Sequence, residues 1–188
     1  MSTLTLLIIR HAEKPGEQWL GPGSNESGQP DGKSLVIRGW ERAGAWAALF
    51  GADLGGNDYP KPRAIFAANP GAGGTPDEGP SRRPYETVSA LSARLSLSAN
   101  VAYALGQEDQ LVATLVGLSG VALVCWEHKA IAAQIVPRIP VDQGAPPKRW
   151  PGERYDAVLR FDRDDGAQKF KFRELLPCLL AGDSITPF

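Results

Sequence analysis

The chain holds only two histidines, His11 and His128, and their neighbours define the chemistry open to them. Arg10-His11-Ala12-Glu13 follows an apolar run at residues 4–9, and Glu127-His128-Lys129 follows another at residues 121–126. A neutral imidazole is a nucleophile toward phosphorus, and a second imidazole can donate a hydrogen bond. An arginine fork matches phosphate oxygens in bidentate fashion and stays charged. Arg10 supplies one such fork beside His11. Arg83, in Ser81-Arg82-Arg83-Pro84-Tyr85-Glu86-Thr87, supplies another at the start of an expected helix, where anions are favoured. Taken singly, each histidine reads equally well as a capping or buried residue. Two histidines at strand ends together with two arginines read as a phosphate pocket.

The elements that must position these residues follow from the apolar pattern. Runs without alternation fit strands buried on both faces of a parallel sheet. The pattern predicts strands at residues 4–9, 63–68, 100–105 and 121–126. It predicts helices at residues 35–50, 82–95, 108–118 and 130–136, the last ended by Pro137. Residues 157–161 and 169–172 alternate more clearly, and Asp164-Asp165-Gly166 between them is a hairpin signal. The expected fold is a single α/β domain over residues 1–188. It has a mostly parallel central sheet, helices on both faces and an antiparallel edge hairpin near the C-terminus. In such sheets ligands bind beyond the carboxyl ends of the strands, where both histidines fall. Three loops, at residues 14–33, 69–80 and 138–154, are rich in glycine and proline and are expected to surround those ends. On the third, Lys148-Arg149-Trp150 is a candidate contact for an anionic substrate. Trp19, Trp126 and Trp150 are candidates for lining a cleft, against the alternative of anchoring their loops.

Composition removes several classes of function. Twenty Lys and Arg against 21 Asp and Glu leave no electrostatic footprint for nucleic acid. Hydrophobic residues at 43% and charged residues at 22% exclude disorder of the whole chain. The first apolar run is too short to span a membrane, and no signal-peptide pattern precedes it, so a cytoplasmic protein without a membrane partner is expected. Cys125 and Cys178 form no CxxC pattern, and no metal-ligand spacing such as HExxH occurs. Gly28-Gln29-Pro30-Asp31-Gly32-Lys33-Ser34 is one residue short of a phosphate-binding P-loop and follows no buried strand.

Four segments, in order, resemble the histidine phosphatase superfamily with its phosphoglycerate-mutase-like fold. Arg10-His11-Ala12-Glu13 resembles its RHG signature, with Ala12 in place of glycine. Leu35-Val36-Ile37-Arg38-Gly39-Trp40-Glu41-Arg42-Ala43 resembles its L-x-x-x-G-x-x-(Q/R)-A helix start. Arg83-Pro84-Tyr85-Glu86-Thr87 resembles its R-A-x-(Q/E)-T segment, and Val124-Cys125-Trp126-Glu127-His128 resembles the strand before its second histidine. The resemblance implies that His11 forms a phosphohistidine and that Arg10, Arg83 and His128 bind the phosphoryl oxygens. It implies no metal and no cofactor. It places a general acid near Gln107-Glu108-Asp109-Gln110, with Glu108 the first choice and Glu127 and Glu13 as competitors. Glu127 is open to a second role, orienting the His128 ring. The implied substrate is a small phosphorylated molecule or a phosphohistidine protein, from the compact phosphatase branch. A phosphomutase and a phosphate-binding module without turnover stay open as alternatives.

Overall fold

A computed structural model describes residues 3–52, 55–73 and 79–188. Its six-stranded sheet has the order β2-β3-β1-β5-β6-β4. The strands are β1 (Leu4–Arg10), β2 (Ala64–Ala67), β3 (Gly120–Trp126), β4 (Val141–Gln143), β5 (Val158–Arg163) and β6 (Phe170–Leu175). β1 and β2 both pair parallel with β3, while β5 runs antiparallel to both β1 and β6. The mixed α/β architecture agrees with the sequence expectation, and β1, β2 and β3 are buried on both faces.

Alternate residues of these strands feed two cores. Leu7, Ile9, Leu123 and Cys125 pack under α1 (Ile37–Gly51) and α2 (Arg83–Leu95), against Trp46, Phe50, Val88 and Leu91. Leu6, Ile8, Val124 and Trp126 face the opposite layer. That layer is α3 (Glu108–Val116) and a helical stretch that begins as α4 (His128–Ala130). The stretch widens to a π-type turn at Ile131–Ile135 and tightens to a 3-10 turn at Val136–Arg138. Proline lacks an N–H but is tolerated in a first turn. Pro137 therefore sits inside the 3-10 turn rather than ending the helix before it.

The structure differs from the sequence expectation at further places. Residues 100–105 do not form a strand. They run beside β2 with a single parallel bridge, Phe66 to Asn100. Three backbone hydrogen bonds hold them there: Asn100 N to Ile65 O, Ala67 N to Asn100 O, and Asn69 N to Tyr103 O. The third loop contains the short strand β4, which pairs parallel with β6. The hairpin of β5 and β6 flanks the parallel strands as expected, but β4 lies outside it and takes the sheet edge. Residues 74–78 of the expected 69–80 loop lie outside the described residues.

Candidate active site

The ends of β1 and β3 are level because Arg10 is in register with Trp126. The residues that follow each strand therefore emerge side by side. His11 and His128 both line a cavity of about 700 Å³, together with Arg83, Glu108 and Glu127. Four of the five expected site residues (His11, His128, Arg83 and Glu108) thus share one cavity, as does the competitor Glu127.

His11 is buried at the cavity wall. Its Nδ1 lies 2.8 Å from the Ala12 carbonyl oxygen. A carbonyl only accepts, so Nδ1 carries the proton and Nε2 keeps its lone pair. Burial, then the neighbouring Arg10 charge, holds the pKa well below the ordinary imidazole value, against a smaller opposing effect of the Ala12 carbonyl. His11 is therefore a neutral imidazole with a free ring nitrogen.

Three residues of α2 explain why its first turn matters. Arg83 donates from Nε to the Ser34 carbonyl at 3.3 Å and from Nη2 to the Gly32 carbonyl. Glu86, fully buried, accepts from Ser34 Oγ at 2.6 Å and from the Leu35 amide at 3.0 Å. Thr87 Oγ1 accepts the Ala12 amide at 2.8 Å and donates to the Arg83 carbonyl at 2.7 Å. Thr87 thus joins the segment carrying His11 to the helix carrying Arg83. The segment at residues 28–34 that resembles a P-loop is instead the backbone on which Arg83 and Glu86 rest.

Glu108 begins α3 after a turn at Gly106, whose φ of 94° suits glycine. Its carboxylate accepts the Gly106 amide at 3.0 Å and the Trp126 indole N–H at 2.9 Å. Trp126 is fully buried, so it orients Glu108 from beneath rather than lining a cleft. Glu127 caps α4 by accepting the Ala130 amide at 2.8 Å. Its other oxygen is 2.6 Å from His128 Nδ1, close enough for electrostatic pairing, although the ring N–H is poorly aligned for a hydrogen bond. Burial pushes the Glu127 pKa up, but His128 and the Ala130 and Lys129 amides outweigh it and hold the group at about 2. A carboxylate that stays ionised is a poor proton donor. Glu127 instead fits the second role open to it, orienting His128.

Arg10 is placed differently from its expected neighbours. It is 1% exposed and does not line the cavity wall. Its Nη1 donates to the carbonyls of Gly152 at 2.6 Å and Arg154 at 2.9 Å, while its Nε is buried with no hydrogen-bond partner. Such a donor is costly to bury unless an acceptor meets it.

Glu13, considered as an acid, is excluded from that role by its contacts. It is buried in a bidentate pair with Arg42, at 2.9 Å from Nε and 2.8 Å from Nη2, and is absent from the cavity wall. Arg42 also reaches Asp183 at 2.7 Å. Lys148-Arg149-Trp150 does not reach the cavity either. Lys148 borders an apolar groove with Val136 and Ile139, and Trp150 is buried against Phe188 at 5.1 Å between ring centroids. Trp19 lies outside the cavity, near Arg38.

The sequence reading missed Lys14 and Lys129, which line the cavity. Each follows a histidine closely in the chain, a signal within reach. It also missed Tyr155, whose ring lies 3.8 Å beneath the Arg10 guanidinium and 6.2 Å from the His11 ring. Nothing in local sequence pairs residues so far apart.

No protein-family model matches the chain, and no curated protein sequence matches it. Among solved structures it matches the protein histidine phosphatase SixA, solved in complex with tungstate. The TM-score is 0.59 at 17% identity, over 93% of this chain and 97% of that one. This chain has the histidine-phosphatase fold. The fold implied by the four motif segments is therefore the fold observed. Within it, those segments are points of contact: the β1 end, Gly39 against Glu13, the first turn of α2, and the β3 end. A Cβ at Gly39 would lie 2.5 Å from the Glu13 carbonyl oxygen, so only glycine permits α1 to approach the chain after His11. Among the described residues, no helix is long and apolar enough to cross a membrane.

Proposed function

We propose that this protein is a metal-independent phosphohydrolase that cleaves phosphate monoesters, or phosphohistidine, through a phosphohistidine on His11. The observation that carries the reading is the state of His11. It is buried and neutral, its Nδ1 proton is committed to Ala12, and it shares one cavity with Arg83 and His128. Nε2 attacks phosphorus, a P–N bond forms, and the bond to the leaving group breaks. Glu108 is the general acid that gives a proton to the leaving group and then takes one from the attacking water as the P–N bond breaks. Arg83 and His128 on the cavity wall, with Arg10 buried behind it next to His11, supply the positive charge and hydrogen bonds that the phosphoryl oxygens need as charge develops. Those groups take the electrostatic part that a metal ion plays in other phosphoryl transfers. The tungstate held by SixA, a tetrahedral oxyanion, supports oxyanion chemistry on this fold.

A cavity of about 700 Å³ falls within the range of small-molecule sites, which favours small phosphate monoesters over phosphoproteins. A screen of phosphorylated metabolites and phosphohistidine peptides tests this directly. Activity on metabolites that is lost in His11→Ala and retained with chelator is the expected result. Activity that survives His11→Ala removes His11 as nucleophile. Turnover of phosphohistidine peptides alone rejects the small-molecule preference.

A further inference from the structure

The Arg10 guanidinium is gripped from two directions. On its edge, Nη1 meets the carbonyls of Gly152 and Arg154. On its face, the Tyr155 ring stacks with its centroid 3.8 Å from the guanidinium carbon. A guanidinium is planar, so fixing one nitrogen and the plane fixes the direction of every other N–H. The nitrogens not used in this grip are Nη2 and Nε, and Nε is buried and unpartnered. The same Tyr155 ring stands 6.2 Å from the His11 ring, and its hydroxyl accepts the Lys14 amide. Tyr155 therefore touches Arg10 and both the nucleophile and the segment that follows it.

The loop that forms this grip is itself braced by the C-terminal segment. Arg154 donates to the Thr186 carbonyl at 2.8 Å, and Asp156 accepts from Arg154 at 2.7 Å and from the Ser184 amide at 2.6 Å. Phe188 lies 5.0 Å from the Arg154 guanidinium and 5.1 Å from the Trp150 ring. A loop tied both to the strand-end Arg10 and to the C-terminal segment is a rigid mount.

We infer that Tyr155 is a positioning residue for phosphoryl binding: its ring locks the plane of the Arg10 guanidinium so that the N–H groups not engaged by the loop are held toward a phosphoryl oxygen beside His11. This rests on Arg10 acting as a phosphoryl ligand. Tyr155 itself touches no reacting atom. Its contribution comes from a desolvated cation–π contact and from orienting a donor before the anion arrives.

The test reads oxyanion binding rather than turnover, with tungstate as the probe and calorimetry as the assay. Tyr155→Phe keeps the ring face and is expected to hold the tungstate Kd within roughly twofold of wild type. Tyr155→Leu removes the face and is expected to weaken it roughly tenfold or more. In an Arg10→Lys background, where no planar fork remains, Tyr155→Leu is expected to add little, because the two residues act as one unit. An equal loss in both backgrounds, or an equal loss in Phe and Leu, overturns the inference. Nitrogen NMR supplies a readout that does not depend on the Arg10 variant folding. The Arg10 side-chain N–H resonances, assigned through the Arg10 backbone, are expected to shift on tungstate addition in wild type and Tyr155→Phe, and not in Tyr155→Leu. Arg10 resonances that respond equally in Tyr155→Leu, or that do not respond in wild type, contradict the assignment. Tungstate binding with these effects but no hydrolysis of any phosphate ester rejects the proposed reaction and leaves the positioning role standing.

Discussion

Replacing Thr87 with valine tests how the nucleophile and its arginine are joined. The change is nearly isosteric and removes one hydroxyl from a fully buried site. That hydroxyl is the acceptor for the Ala12 amide, at 2.8 Å, one residue after His11. Without it the amide is left buried and unsatisfied, which costs about 1–3 kcal/mol. Taking about 2 kcal/mol, a chain of this size loses roughly 4–8 °C in Tm. The hydroxyl also donates to the Arg83 carbonyl at 2.7 Å, so the first turn of α2 loosens against the end of β1. Small displacements of groups that must align cost rate steeply, and kcat/KM on an aryl phosphate is expected to fall roughly tenfold. Thr87→Ser is the control, since it keeps the hydroxyl and loses only a methyl, about 0.8 kcal/mol. Urea unfolding and steady-state kinetics on the three proteins give the answer. If Thr87→Val is within about 0.5 kcal/mol of wild type and fully active, or if Thr87→Ser loses as much activity as Thr87→Val, the hydroxyl does not join the two segments.

Two further outcomes follow from the electrostatics. Arg42→Met leaves the buried carboxylates of Glu13 and Asp183 without their cation and is expected to destabilise the fold by about 3–5 kcal/mol in urea unfolding; adding Glu13→Gln and Asp183→Asn to the same protein should restore much of that loss. His11 has a folded pKa well below 6.5, so the unfolded chain binds more protons than the native one as pH drops below that value. The stabilisation from keeping His11 neutral is thus present above the unfolded pKa and lost as pH falls toward the folded one. The stability difference between wild type and His11→Gln should shrink on acidification below pH 6.5, measured by urea unfolding at successive pH values.

The parts of the site that were legible in the sequence are those with local causes. β1 and β3 are buried on both faces, so their apolar runs announce them, and the histidines that follow are placed by the strands themselves. Arg83 is legible from its place at a helix start, and Gly39, Glu86 and Thr87 lie in the segments that carry the family resemblance. What stayed hidden is set by long-range backbone contacts. The carbonyls of residues 151–154 that hold Arg10 have no side-chain signature, and Tyr155 meets Arg10 only because β5 lies beside β1. Glu13 has the right chemistry for an acid, yet Arg42, one helix away, claims it. Residues 100–105 have strand composition, but they meet β2 at one bridge only. β4 is too short, at three residues, to leave a pattern.

The central claim is a covalent phosphoryl group on His11 Nε2. Rapid mixing with an aryl phosphate, an alkaline quench that preserves phosphoramidates, and intact-mass analysis test it most directly. Wild type is expected to gain the mass of one phosphoryl group, mapped to the peptide containing His11, and His11→Gln to gain none. Hydrolysis by wild type with no trapped phosphoryl group, together with undiminished turnover by His11→Gln, would contradict the account.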